Sequence, residues 1–117
     1  LRGAGGMVND NFTEVYDGLA TKIGYDGIIL DSETAATTGN VTINKPMGKC
    51  NVLTGSTSVT ITNSLVTADS CVYGTILTQD ATSVRNIVPT AGAFTIYLGA
   101  GTAGPVVICF LVVNPAP

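Results

Sequence analysis

The spacing of apolar positions changes once along this chain, near residue 24. Before that point Val8, Phe12, Val15, Leu19 and Ile23 follow one another at steps of four, three, four and four. This is one stripe at helical period, and it predicts a short helical stalk over 7–24. Asn9 or Asn11 is placed to cap its start, and Glu14 stands three residues beyond Asn11, in capping-box spacing. Gly18 weakens the middle, and Gly24 is a natural stop. A lone helix of this length is marginal in water, so the stripe needs something to lie on. It can pack on the rest of the chain. It can also pack on the same stripe of neighbouring copies, because 8–12–15–19 is the seam spacing of a short coiled coil. The residues leave both open.

Residues 1–6 (LRGAGG) read as a flexible lead-in, and residues 25–40 as a connector of small and turn-forming residues. Ile28–Leu30 is a candidate short strand within that connector. From residue 41 on the period is two. Runs rich in Val, Ile, Thr and Tyr alternate with Gly, Asn, Asp and Pro, predicting strands near 41–44, 49–53, 57–62, 70–78, 83–88, 92–98 and 105–113. In SVTIT, Val59 and Ile61 take one face; in AFTIYL, Phe94, Ile96 and Leu98 do. That alternation marks sheets with one buried face. The last run, VVICFLVV (106–113), is apolar on both faces, as expected of a strand between the domain core and a neighbouring subunit. The fold class is therefore mainly β, a β-sandwich or jelly-roll-like domain over 41–117 preceded by a short N-terminal α-helix.

Composition narrows what such a domain does. Of 117 residues, 45% are hydrophobic and only 11% charged, less than half the usual charged share of about 25%. A surface so poor in charge is covered by Thr, Ser, Asn and Gly, or buried against copies of itself. The chain opens on Leu1, which suggests a piece cut or processed from a longer polypeptide. The apolar run 106–113 is too short for a membrane-spanning helix, which needs about 20 residues, and no signal-peptide pattern is seen. Residues 1–40 set Arg2 and Lys22 against Asp10, Glu14, Asp17, Asp26, Asp31 and Glu33; the remainder sets Lys45, Lys49 and Arg85 against Asp69 and Asp80. Neither part has the basic patch that a phosphate backbone requires, so nucleic acid is not an expected partner.

Candidate chemistry is sparse. The chain has no His, which removes the usual general base for a Ser or Cys nucleophile. Cys50, Cys71 and Cys109 lie far apart without a CxxC, so zinc is not expected; each sits in an apolar or alternating run and reads as a small buried hydrophobe, with one disulfide and a free third thiol as the alternative. Asp69 and Asp80 stand in turn contexts, where Asp serves its own backbone. Asp26, Asp31 and Glu33 lack the spacing of a calcium loop. GAGTAG (99–104) lacks the context of a phosphate loop and reads as a hairpin turn, with Pro105 opening the last strand. Sequons at Asn11 and Asn40 carry little weight alone. Tyr73 and Tyr97, with Asp80, are the candidate surface contacts. No enzyme activity, cofactor or metal is expected.

Specific stretches resemble a known group. MVNDNFTEVYDGLA is similar to a segment recurring in bacteriophage tail-fibre and other appendage proteins. NKP-G (Asn44, Lys45, Pro46, Gly48), TNSLVTA (Thr62–Ala68), DAT (Asp80–Thr82), AG-FT (Ala91–Thr95) and the closing FLVVN resemble a C-terminal β-domain of phage virion proteins. These elements span nearly all of 41–114. Where that pattern usually has an apolar residue, this chain has Cys50. The resemblance implies a homotrimeric virion appendage, a fibre or knob, joined to other virion proteins through an N-terminal part and attached to host-surface carbohydrate or protein. Display would then fall to the loops around 64–69, 79–83 and 99–104. A capsid decoration or scaffolding module without a host ligand is the alternative. The resemblance transfers no catalytic or receptor-contact residue.

Overall fold

The computed structural model describes residues 27–117. The stripe Val8, Phe12, Val15, Leu19 and Ile23 lies outside them. Eight strands follow in order among the described residues: β1 (Ser32–Thr38), β2 (Val41–Thr42), β3 (Met47–Val52), β4 (Ser58–Thr62), β5 (Cys71–Ile76), β6 (Val84–Thr90), β7 (Ala93–Leu98) and β8 (Val106–Val113). Seven coincide with the runs of period two. β1 lies where a connector is expected, and Ile28–Leu30 is not a strand. The reason is visible in its burial: β1 is an edge strand of sequence SETAATT that buries Ala35 alone, so it needs no alternating apolar face.

The strands form two four-stranded sheets, ordered β1-β3-β8-β5 and β2-β4-β7-β6. The β6–β7 hairpin stays within one sheet, while every other connection crosses to the opposite one. This winding makes β1 parallel to β3 and β2 parallel to β4, each pair bridged by a strand of the other sheet. The remaining four pairs are antiparallel. A jelly roll is antiparallel throughout, so that half of the expectation is corrected: the sheets are mixed. GAGTAG is corrected as well. It is the β7–β8 crossing between sheets rather than a hairpin turn. Gly101 passes so close to Gly55 that an added Cβ would stand 2.8 Å from the Gly55 carbonyl oxygen.

Both sheets contribute to one core. Cys50, Val52, Val106, Ile108 and Phe110 enter from the first sheet, and Val59, Ile61, Phe94, Ile96 and Leu98 from the second. Alternate residues of β4, β7 and β8 are buried, as the two-residue period requires. Phe94 and Phe110 meet across the sheets with ring centroids 4.9 Å apart and planes at 63°, the edge-to-face geometry that aromatic quadrupoles favour. Phe110 is flanked in register by Gly48 on β3 and Gly74 on β5. A Cβ on Gly48 would stand 2.8 Å from the Phe110 ring and 2.9 Å from the Glu33 carbonyl oxygen. Gly48 thus makes the space that the ring occupies, whereas a Cβ on Gly74 would stand 2.9 Å from the Ile87 side chain. At the β6–β7 turn, Gly92 takes φ 82°, a left-handed conformation that glycine adopts at no steric cost.

Candidate functional site

The outward faces of the two sheets differ in chemistry. On the first, Val107, Cys109, Leu111 and Val113 of β8 run between Met47, Lys49 and Asn51 of β3 and Cys71, Tyr73 and Thr75 of β5. Leu111 stands in register between Met47 and Tyr73. Tyr73 is 60% exposed, Leu77 51% and Val113 43%, although the opposite side of β8 is fully in the core. The second sheet turns out Ser58, Thr60, Thr62, Ala93, Thr95 and Tyr97, with Asn86, Val88 and Thr90 beyond them. The Thr60 and Thr95 hydroxyls hydrogen-bond each other at 3.0 Å. One outer face is therefore mainly apolar and the other mainly hydroxyl-bearing. The non-alternating VVICFLVV was the signal for the first; its neighbours Met47, Cys71 and Leu77 carried none, because strand pairing alone brings them to it.

Tyr73 and Tyr97 accordingly stand on different sheets, each facing outward, and form no joint site. Asp80 is not a free contact. Its two carboxylate oxygens accept hydrogen bonds from the Thr82 amide at 2.9 Å and the Ala103 amide at 3.1 Å. The Thr82 hydroxyl donates to the Ala100 carbonyl at 2.7 Å. These bonds staple loops 79–83 and 99–104 together, and Thr102 ties in the β3–β4 loop by accepting from the Gly55 amide at 3.1 Å and donating to the Leu53 carbonyl at 3.1 Å.

Loop 64–69 lies at the other end of the strands, around Asn63. This fully buried side chain donates to the Lys45 carbonyl at 2.8 Å and accepts from the Leu65 amide at 2.9 Å. Its backbone amide donates to the Gly92 carbonyl at 2.9 Å. Asn114 continues the cluster, donating to the Leu65 carbonyl at 3.0 Å and accepting from the Ser70 hydroxyl. The three expected display loops are thus split between two ends. At Asn40 the sequon side chain accepts from the Thr60 amide at 2.9 Å and so occupies a backbone donor of β4. Asp31 pairs with Lys45 at 2.9 Å on the surface. The Lys45 hydrogen bond holds Asp31 below the usual carboxylate range, and the same bond raises Lys45.

The three cysteines are free thiols in three environments: Cys50 buried, Cys109 half-buried, Cys71 exposed. The reading of all three as buried hydrophobes holds for Cys50 and is corrected for Cys71. Cys71 opens an edge strand on its outward side, in step with Tyr73 and Thr75. Burial pushes Cys50 from 9.0 up to about 11, with Cys109 adding to the rise. A thiol held neutral stabilises the fold fully below pH 9, and that contribution is lost as pH rises through about 11. For the single, unassembled chain we expect maleimide at pH 7.5 to modify Cys71 first, Cys109 more slowly and Cys50 only on unfolding, as followed by mass spectrometry. Fast labelling of Cys50 in the native chain would contradict this order.

Among the described residues, the segments that carry the phage resemblance do structural work; MVNDNFTEVYDGLA lies outside them. NKP-G leads into β3 and delivers Gly48 beside Phe110; TNSLVTA builds the Asn63 cluster. DAT is the Asp80–Thr82 staple. AG-FT is the β6–β7 turn together with Phe94, and FLVVN runs from Phe110 to Asn114. Compared with family models, curated proteins and solved structures, the chain matches none of them.

Proposed function

We propose that the chain is a structural module of a bacteriophage virion appendage, a fibre or knob that assembles as a homotrimer and attaches to the host surface. The observation that carries this reading is the outward face of the first sheet. Tyr73, Leu77 and Val113 are exposed beside Val107, Cys109 and Leu111, and Lys49 is the one charged residue on β3, β5 and β8. Apolar surface gathered in this way marks a contact with another protein. Copies of the same chain can meet it with a single charged side chain, Lys49, to be kept at the rim or paired. Three copies held together would multiply weak contacts at their exposed surfaces, which is the physical basis of attachment by fibres. The work of the described resembling segments in this chain, turns and core rather than ligand contacts, is what a display scaffold demands.

Sedimentation equilibrium at micromolar concentration tests the reading. The expected result is a trimer, shifted toward monomer by the double substitution Tyr73→Ser and Val113→Ser, whose side chains lie outside the core. A stable monomer at that concentration would overturn it.

A further inference from the structure

The second sheet carries one charged residue on its four strands, Arg85. The strand register breaks there: Val84 pairs with Leu98 and Asn86 with Tyr97, so Arg85 is the extra residue of a β-bulge. Bulges re-aim a side chain and recur beside functional sites. Arg85 is exposed and makes no ion pair or side-chain hydrogen bond among the described residues. It lines a shallow cleft of about 480 Å³ together with Thr57, Asn86, Tyr97, Leu98 and Gly99. The floor is fixed from both sides. The Leu98 amide donates to the Thr57 carbonyl at 2.8 Å, and the Gly99 amide donates to the Ser83 carbonyl at 3.0 Å. Asn86 and Tyr97 stand opposite each other in register, close enough to meet one small ligand.

We infer that this cleft binds a carboxylate-bearing sugar, such as a uronic-acid unit of a surface polysaccharide. Each group has a part in that recognition. A guanidinium presents a planar fork that matches a carboxylate with two hydrogen bonds. The half-exposed Tyr97 ring offers an apolar face to the C–H side of a pyranose while its hydroxyl stays wet. The Asn86 amide and the Thr57 hydroxyl can both donate to and accept from ring hydroxyls. A lone cation cannot hold a nucleic-acid backbone, which is bound through many phosphate contacts. The cleft volume lies within the range of small-ligand sites, roughly 300–1,000 Å³. This deepens the attachment half of the function proposed above and rests on it.

The test is titration of the ¹⁵N-labelled full chain with trigalacturonate, with maltotriose and sodium sulfate as controls. Amide shifts of Thr57, Arg85, Asn86, Leu98 and Gly99 should move together and saturate with trigalacturonate, and stay unmoved by either control. Arg85→Gln should weaken binding by about tenfold or more, Arg85→Lys by less, and Tyr97→Ala by about fivefold, each with an unchanged melting temperature. Unchanged binding in Arg85→Gln, or shifts centred elsewhere, would overturn the site. Equal response to sulfate would reduce it to a plain anion site, and equal response to maltotriose would remove the role of the carboxylate; either overturns the inference. A chain that sediments as a trimer yet ignores the saccharide sinks this site and leaves the assembly standing. A monomer that binds it does the reverse.

Discussion

Truncating Phe110 to alanine should destabilise the β-unit by about 3–5 kcal/mol, the usual range for a buried phenylalanine. The upper half of that range is expected here. Gly48 borders the ring on β3, so that neighbouring strand offers no side chain to collapse into the space. Phe94 also loses its edge-to-face partner. Small domains are stable by only about 5–15 kcal/mol in total, so a substantial unfolded fraction should appear under mild denaturant. Phe110→Leu should cost much less. Urea unfolding followed by circular dichroism measures both. A loss below about 1 kcal/mol for the alanine variant would mean that the sheets do not share this core.

The second large effect is expected at Asn63. Its replacement by alanine leaves the Lys45 carbonyl and the Leu65 amide without their buried partner. Each unsatisfied group costs roughly 1–3 kcal/mol, so about 2–6 kcal/mol should be lost, less whatever water recovers by entering the gap. Asn63→Asp is the sharper variant. It keeps an acceptor for Leu65 but turns a carboxylate toward the Lys45 carbonyl, so it should be destabilising at neutral pH and recover in acid as the new carboxyl takes up a proton. The same urea experiment at two pH values reads this out. A variant of unchanged stability at both would remove Asn63 from its place as the anchor of that end of the fold.

Asn63 also shows where sequence reading stops. TNSLVTA is recognisable as a turn-rich segment between two strands, yet nothing local distinguishes the buried Asn63 from the exposed Ser64 beside it. Its partners Lys45 and Gly92 are distant in the chain, and the sheets bring them together. Asp80 is the opposite case. Its bond to Thr82 is local and was legible as a turn, whereas its bond to Ala103 depends on loop 99–104 crossing from one sheet to the other. That second bond is why Asp80 braces two loops instead of facing a ligand.

The mainly β character, seven of the eight strands and the buried faces of β4 and β7 follow from residue order alone. A strand with one wet face must alternate, and that period survives whatever the strand pairs with. Pairing is another matter. The parallel partners of β1 and β3, the glycines on either side of Phe110, and the bulge that turns out Arg85 are long-range facts that no local period encodes. The outer faces fall between the two. VVICFLVV announces a strand apolar on both sides, but only the strand order places Met47 and Tyr73 beside it and makes one strand's anomaly into a surface.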